Sequence, residues 1–565
     1  MVDITDDIKR ELGQHFVLGF HGTDVSPEIE TLIRDYYLGN VILMRRNVQS
    51  AAQVHAVVQK LQKIAKDAGH GQPLMIGTDQ ENGLVSAFSH STSAPGAAGT
   101  QFPGAMALAA TRSPELAERM SFATGRELKH VGINWAYSPV ADVNSDSRNP
   151  VIGVRSFGDD PQKVSEYVAA ISRGLTQAGV APSAKHFPGH GDTHVDSHLA
   201  LPVIPKTKSE LAETELVPFA AISDSVATIM TGHMALPKVT GDDTPASLSR
   251  IATHDLLRDD LQYKGVVVTD CLEMEAVAAR PGGVPTASVD ALRAGADIVM
   301  ICHTFARHVG SFEAAYSAVT SGQLDLDELH ESGKCIAALK GEFAGSWEQA
   351  LGTSFDMDKW LDIKAENKEL SRQAYLASIA DLQDISDNLP LPERGGVVVF
   401  SPQKESLNLA VDDAEGVLRT ADGKIRNTAG PSYISWAASV EKYADTVSHI
   451  VYAPDELLTA EQRNLLLTAS TVLFATRNAD RSTWQYDFLR QVLTAWPHGY
   501  KRLVVLSSCA PYDFLSIPEG EDLAKVTVVA SFEFTAHAMA AATEIIFGQE
   551  WPLGRAPVSN NRSLQ

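Results

Sequence analysis

Paired cysteines, long apolar runs and an excess of basic residues are all missing from this sequence of 565 residues. Its four cysteines are scattered and form no CxxC pair, which indicates reduced thiols rather than a disulfide framework. Basic residues number 47 against 70 acidic ones, so the formal net charge is −23. This balance argues against a nucleic-acid or anionic-membrane partner.

We also expect no targeting segment in this sequence. No uninterrupted apolar stretch reaches the roughly 18 residues of a membrane span. The first ten residues, Met-Val-Asp-Ile-Thr-Asp-Asp-Ile-Lys-Arg, contain no apolar core of signal-peptide length. We therefore expect a cytoplasmic protein that does not act at a membrane. A chain of this length exceeds one compact core, which predicts at least two domains.

Short apolar runs alternate with helical patterns between residues 16 and 302. In 50–69, for example, Val54, Val57, Val58 and Leu61 recur with the spacing of one helix face. Eight strands alternating with helices predict a (β/α)8 TIM-type barrel, and an open doubly wound sheet is the structural rival. The predicted strands are 16–20, 40–44, 73–79, 134–142, 180–187, 227–233, 265–270 and 296–302.

Polar side chains lie at or just after the carboxyl ends of these predicted strands. In a barrel such ends converge on one face, where active sites are built, so this placement favours the barrel over the open sheet. The residues concerned are Asp79, Asp142, Lys185, His186, His233, Asp270 and His303.

A second αβ pattern follows a proline-containing boundary at 387–393. It predicts a smaller α/β sandwich domain with a mainly parallel sheet. We expect a barrel domain over 1–340, a helical connector over 341–392 and the second domain over 393–565. The strand-like runs are 396–401, 448–452, 471–476, 502–507 and 525–531, and a helix is predicted over 537–547.

Four of the eighteen histidines lie in one run, Lys185-His-Phe-Pro-Gly-His-Gly-Asp-Thr-His-Val-Asp-Ser-His198. Their spacing of four would place them on one helix face and suggest a metal site. Pro188, Gly189 and Gly191 oppose a helix, so we predict a mobile loop instead. A carboxylate two residues from a histidine can orient the ring and stabilise its charged form. Asp196 and His198 are therefore a candidate proton-transfer pair, against the alternative of a solvated polar loop.

The run Val266-Val-Val-Thr-Asp270 is an apolar strand that ends in a carboxylate. An acid at a strand end can be held rigidly with its oxygens facing a cleft. A carboxylate that caps the following helix explains this segment equally well.

Together these segments resemble glycoside hydrolase family 3, in its β-N-acetylglucosaminidase (β-N-acetylhexosaminidase) branch. The run 185–198 is similar to the signature of that branch, and 265–270 is similar to the nucleophile strand of the family. Supporting segments occur in the expected order at 132–142, 155–158, 230–234, 245–249, 294–297 and 547–559.

The resemblance implies a retaining exo-β-N-acetylglucosaminidase that needs no metal and no cofactor. Asp270 would be the nucleophile that forms a covalent glycosyl-enzyme. His198 would protonate the leaving oxygen and then deprotonate water, and Asp196 would orient it.

Substrate contacts are also implied by the resemblance. The residues placed around the non-reducing N-acetylglucosamine are Asp79, Arg155, Lys185 and His186. Asp142 and His233 would orient such groups. The expected partner is a small carbohydrate, and the oligomeric state is left open.

The sequence departs from the family pattern at Leu84. Bacterial peptidoglycan-recycling members read Asp-x-Glu-Gly-Gly-Arg-Val, whereas this chain reads Asp79-Gln-Glu-Asn-Gly-Leu-Val85. Chitin-derived oligosaccharides or other β-N-acetylglucosaminides are thus at least as well supported as anhydromuropeptides.

Other functions stay open on the sequence. One is a β-N-acetylglucosaminide phosphorylase, because a neutral histidine repels an incoming phosphate less than a carboxylate would. The others are a β-glucosidase of the same family, a non-catalytic sugar-binding protein on a degenerate barrel and a metal-dependent hydrolase built on the histidine run.

Overall fold

The computed structural model describes residues 4–89, 98–193, 200–352, 354–383, 388–403, 429–518 and 521–559. Strands β1 to β8 form a closed barrel, in which each strand pairs in parallel with the next and β8 pairs with β1. The predicted TIM-type barrel is confirmed. Its strands are β1 (Phe16–Leu18), β2 (Asn40–Leu43), β3 (Met75–Thr78), β4 (Trp135–Ala136), β5 (Ala181–Phe187), β6 (Thr228–Thr231), β7 (Val266–Cys271) and β8 (Ile298–Ile301).

Helices fill the intervals between these strands and continue beyond β8, and a short antiparallel hairpin (Gln80–Asn82 with Val85–Ser86) follows β3. The α-helices of this half are Asp6–Gln14, Pro27–Asp35, Ala51–Asp67, Ala105–Ala110, Pro114–His130, Pro161–Gln177, Lys208–Glu213, Val217–Ile222, Pro237–Thr240, Glu275–Ala278, Gly283–Ala294, Phe305–Ser321, Leu326–Phe343, Trp347–Leu351 and Met357–Ser378. Ile251–Asp260 is a π-helix, and short 3-10 turns span Arg45–Asn47, Gly153–Arg155 and Ala246–Leu248.

The helix Pro161–Gln177 shows why these segments are helical. Asp160 caps its first turn by accepting hydrogen bonds from the backbone N–H groups of Gln162 and Lys163. Proline at the first helical position costs no hydrogen bond. The buried face, which includes Val164, Val168, Ile171 and Leu175, packs on the barrel core.

Strand β4 is much shorter than the predicted run 134–142. Pro139 lies in the middle of that run and has no N–H to give to the ladder. Pairing with β5 resumes only as a bridge between Val140 and Lys185. This interruption lets the chain leave the strand and place Asp142 beside the end of β5.

The barrel interior is filled by side chains, as expected for this architecture. Trp135 and Tyr137 lie at its centre, and their rings are 4.9 Å apart. Ile336, Leu339 and Phe343 from the helix Leu326–Phe343 join the same cluster.

The second sheet has the order β9-β14-β13-β12-β10-β11 and is parallel except for β9. Apolar clusters cover both of its faces, which confirms the predicted α/β sandwich. The strands are β9 (Ala380–Gln383), β10 (Gly396–Pro402), β11 (Thr446–Tyr452), β12 (Thr471–Thr476), β13 (Leu503–Ser507) and β14 (Thr527–Ala530), and the α-helices are Pro431–Val440, Ala460–Thr468, Trp484–Ala495, Tyr512–Leu515 and Ala536–Ile546.

The range predicted as a helical connector contains two helices and also strand β9, which extends the second sheet. The two halves of the molecule share an apolar cluster that includes Met106 and Ala110 on one side and Tyr512 and Phe532 on the other. Among the described residues, no helix combines the length and the apolar character needed to cross a bilayer.

Candidate active site

Asp270 lies near the end of β7, where four buried residues, Val266 to Thr269, precede it. Its Oδ1 accepts a hydrogen bond from the backbone N–H of Cys271 at 2.7 Å. Burial acts to raise the pKa of Asp270, but the positive potential of His186 and His233 and the Cys271 N–H outweigh it and lower the pKa below its usual value. The carboxylate is therefore ionised at neutral pH and fixed by a rigid strand end.

Asp142 is fully buried and holds the chain that follows β5. Its Oδ1 accepts the backbone N–H groups of His186 at 3.1 Å and His190 at 2.6 Å. Its Oδ2 bonds Nδ1 of the His186 ring at 2.7 Å. Burial raises the pKa of Asp142, yet the charge and hydrogen bond of His186 lower it overall. The predicted orienting role of Asp142 thus has a direct geometric basis.

Lys185 and Arg155 are joined by the carboxylate of Glu81, which was not among the predicted site residues. Lys185 Nζ lies 2.8 Å from Glu81 Oε1 and 2.7 Å from Asp79 Oδ1. Arg155 binds Glu81 with two hydrogen bonds, from Nε at 2.9 Å and from Nη2 at 2.8 Å. The two cations and the two carboxylates compensate each other in a cleft where unpaired charge would be costly.

The sequence does not single out Glu81, but in the structure the pKa of its carboxyl group is strongly shifted. Burial acts to raise its pKa, but Arg155 and Lys185 lower the pKa to about 2. Glu81 lies in the hairpin just after Asp79, and this proximity to a strand-end acid was the only signal of it in the sequence. The predicted group of Asp79, Arg155, Lys185 and His186 does converge, because Arg155 Nη2 also lies 3.5 Å from Nε2 of His186.

His233 supports the backbone next to Asp270. Its Nε2 bonds the carbonyl oxygen of Cys271 at 3.0 Å, and its Nδ1 bonds Oγ of Ser247 at 2.7 Å. With one ring nitrogen on the carbonyl and the other on the hydroxyl, the imidazole bridges the end of β7 to the segment after β6. This contact agrees with the orienting role expected for His233.

His190 serves the structure of the histidine run. It is buried, its Nδ1 bonds Oγ1 of Thr193 at 2.9 Å, and burial lowers its pKa to about 4. Asn149 donates to the carbonyl oxygens of His190 and Gly191 at 2.8 Å and 3.0 Å. The loop predicted for this run is seen up to Thr193, and Asp192 pairs with Lys206 at 2.8 Å. Asp196 and His198 lie outside the described residues, as does His194.

Two groups of potential metal ligands occur among the described residues, and neither uses the histidine run. One comprises Cys271, Cys302 and His303 beside the strand ends, and the other comprises His254, Asp255 and Asp259 on the surface.

The second domain contacts loops that border the site. Glu533 Oε2 accepts the backbone N–H of Gly104 at 2.7 Å, and Asn144 Nδ2 donates to Oη of Tyr512 at 2.8 Å. A cavity of about 210 Å³ lies between the domains. Its lining includes Leu84 and the residues preceding Arg155 from the barrel domain, and Arg477 and Arg481 from the second domain. The second domain therefore forms part of the wall around the barrel opening.

Comparisons with known proteins show which family the chain resembles in sequence and fold. Residues 7–339 match the sequence model of the glycosyl hydrolase family 3 N-terminal domain. The chain is 34% identical over 397 residues to β-hexosaminidase A of Pseudoalteromonas piscicida, which covers 66% of this chain and 64% of that protein.

Two solved structures are similar over nearly the whole chain. A fungal multi-domain GH3 β-N-acetylglucosaminidase has a TM-score of 0.86 and 35% identity, and the match covers 98% of this chain and 60% of that one. A family 3 β-N-acetylglucosaminidase from Paenibacillus sp. str. FPU-7 has a TM-score of 0.82 and 30% identity, with 98% and 99% covered. The chain thus spans less than two thirds of the Pseudoalteromonas relative and of the fungal relative.

Proposed function

The chain belongs to glycosyl hydrolase family 3, and we propose that it is a retaining exo-β-N-acetylglucosaminidase. In this proposal the enzyme removes terminal, β-linked N-acetylglucosamine from the non-reducing end of its substrate. The observation that carries the proposal is the ionised carboxylate of Asp270 at the end of β7, in a barrel where the segments after β3 and β4 bring Glu81 and Arg155 together with Lys185 of β5. The scattered thiols support a cytoplasmic location.

Asp270 acts as the nucleophile. Its Oδ1 is engaged by the Cys271 N–H, which leaves Oδ2 to attack the anomeric carbon. The bond from that carbon to the leaving oxygen breaks as the bond to Oδ2 forms, giving a covalent glycosyl-enzyme. The lowered pKa of Asp270 supports this role, because only the ionised carboxylate can attack.

His198 supplies the proton for the leaving oxygen and, in the second step, removes a proton from the attacking water. Water then displaces Asp270 from the anomeric carbon, and two inversions give net retention. Asp196 orients the imidazole and stabilises its charged form. This part rests on the spacing of the two residues and on the family resemblance of the run 185–198.

The sugar hydroxyls are bound by the charged residues at the strand ends. The Asp79 side chain is 31% exposed while that of Lys185 is only 3% exposed, so Asp79 offers its oxygen to the cleft and Lys185 acts from behind it. Arg155 and Glu81 form a more deeply buried ion pair behind Lys185. A network with balanced charge suits a neutral sugar.

The substrates we propose are neutral β-N-acetylglucosaminides, including chitin-derived oligosaccharides. Leu84 stands where peptidoglycan-recycling members have arginine, which leaves these substrates at least as well supported as anhydromuropeptides.

Aryl β-glycosides with and without phosphate test the proposal. The purified chain should release aryl alcohol from the β-N-acetylglucosaminide much faster than from the β-glucoside, and free N-acetylglucosamine should be the sugar product in phosphate buffer. A faster reaction on the β-glucoside would contradict the proposed substrate. Release of a sugar 1-phosphate would show that the reaction is phosphorolysis and not hydrolysis.

A further inference from the structure

Two cysteine thiols lie side by side next to the proposed nucleophile. Cys271 follows Asp270 at the end of β7, and Cys302 comes directly after the neighbouring strand β8. Both are buried, with 9% and 3% of their surface exposed, and their sulfur atoms lie within 4.8 Å of each other. The mechanism proposed above uses neither sulfur atom.

An imidazole completes a set of three ligands at this place. The two sulfur atoms and a ring nitrogen of His303 all lie within 4.8 Å of one another. In a tetrahedral zinc site, Zn–S bonds of about 2.3 Å and Zn–N bonds of about 2.0 Å put such atoms roughly 3.5–3.8 Å apart. Small side-chain rotations are enough to reach that geometry.

The backbone around these ligands is held in place. Oε2 of Glu273 accepts the N–H of Cys302 at 3.0 Å and the N–H of His303 at 2.6 Å. Arg46 Nη1 donates a hydrogen bond to Nδ1 of His303 at 3.1 Å, and the imidazole must give up this bond to bind a cation. The backbone of Cys302 and His303 is therefore held in place before a cation arrives, whereas the His303 ring has to turn.

The electrostatic surroundings also favour a cation. After Cys271 and burial, the charges of Asp79 and Asp270 also raise the pKa of the Cys302 thiol, and the same negative charge attracts a cation. Thiolate and imidazole ligands select zinc-like cations over Mg²⁺ and Ca²⁺, which prefer oxygen.

We propose that Cys271, Cys302 and His303 bind a thiophilic divalent cation such as Zn²⁺, and that the bound cation inhibits the enzyme. Each thiol loses its proton to solvent on binding, no redox change takes place, and water fills the fourth coordination position. The cation lies next to Asp270 and attracts the negative charge that the nucleophile must deliver to the sugar. The inhibitory half of the proposal rests on the proposed function, and the binding half does not.

Cadmium titration tests the binding half directly, because thiolate–Cd²⁺ bonds absorb in the ultraviolet. We expect about one equivalent per chain to bind with this absorbance. Cys302→Ser and His303→Ala, each made separately, should weaken binding by at least about 100-fold. Cys335→Ser is the matched control for a free thiol elsewhere, and it should bind as the unmodified chain does. Every chain in these tests, including the one called unmodified, carries His254→Ala, which removes the surface group of potential ligands.

Equal binding by Cys302→Ser and Cys335→Ser, or binding without thiolate absorbance, would overturn the site.

The inhibitory half is measured as the rate on an aryl β-N-acetylglucosaminide with Zn²⁺, relative to the cation-free rate of the same variant. Zn²⁺ should inhibit the unmodified chain reversibly, with recovery in chelator, and should leave the relative rate of Cys302→Ser unchanged. Binding without inhibition would overturn that half. A chain that binds Cd²⁺ but cleaves no glycoside would refute the proposed function and keep the site.

Discussion

Asp142 and His186 form a buried pair in which the imidazole Nδ1 lies 2.7 Å from a carboxylate oxygen. Because Asp142 also accepts two backbone N–H groups and remains ionised, Nδ1 must be the protonated nitrogen. The other ring nitrogen, Nε2, lies 3.5 Å from Nη2 of Arg155. The pair therefore fixes the orientation of the His186 ring, and in our proposal Asp142 acts on the sugar only through that ring.

Asp142→Asn should lower kcat/KM by about 10–100-fold, the usual cost of losing a partner that orients a binding imidazole. An amide can still accept one N–H group but can no longer enforce the tautomer of His186. The measurement is steady-state kinetics on an aryl β-N-acetylglucosaminide, with the melting temperature recorded in parallel. Asp255→Asn, at a partly exposed carboxylate of the surface, is the control and should leave the rate unchanged. A normal rate for Asp142→Asn would show that His186 needs no orienting group.

Glu81→Gln should destabilise the fold by about 3–5 kcal/mol, because it leaves Lys185 and Arg155 without their shared counter-charge. Chemical denaturation gives this difference. Glu30→Gln, which breaks the exposed pair with Arg34, is the matched control and should cost about 1 kcal/mol or less. If the two variants lose the same amount, the buried network does not stabilise the barrel.

The stability of the chain should fall in acid partly through Glu81. Its folded pKa of about 2 lies below the ordinary value of 4.5, so its contribution is fully present above that ordinary value and is lost as the pH falls toward 2. The loss in unfolding free energy between about pH 6 and about pH 3 should therefore be smaller in Glu81→Gln than in the unmodified chain. The same loss in both proteins would place the acid sensitivity elsewhere.

His198→Ala should slow a chitobiose-like substrate by about 10²–10⁴-fold, because general acid catalysis matters most for a poor leaving group. A dinitrophenyl glycoside, whose leaving group needs little protonation, should lose far less. Asp196→Ala should change both rates in the same direction, and azide should partly restore His198→Ala by replacing the general-base step. Equal losses on both substrates, with no effect of azide, would contradict this role for His198, and Asp192 or His194 would be the next candidates for the general acid and base.

The barrel could be predicted because its determinants are local. Apolar runs of strand length and helical periodicity are readable over a few residues, and all eight predicted barrel strands are present. Strand β4 was overestimated, since a single proline ends a ladder that its apolar neighbours would continue. Strand β9 was missed because Ala-Asp-Leu-Gln is short and half polar, and it becomes a strand only by pairing with β14, which lies far along the chain.

The site residues at the ends of strands could be predicted from the sequence, whereas the ion pairs between distant residues could not. Asp79, Lys185 and Asp270 were found from their positions after apolar runs. Glu81 was missed because its partner Lys185 lies more than 100 residues away, and only the closed barrel brings their charges together. Asp196 and His198 stay predictions that the described residues do not test.

Labelling with a 2-fluoro or 5-fluoro glycosyl donor tests the central claim most directly. Such a donor forms the covalent intermediate but resolves it slowly, so the attached sugar can be located by peptide mass spectrometry. Our account predicts one label per chain, on Asp270, no label in Asp270→Ala, and turnover abolished in that variant while its circular dichroism is retained. A label on any other residue, or normal turnover by Asp270→Ala, would contradict the account.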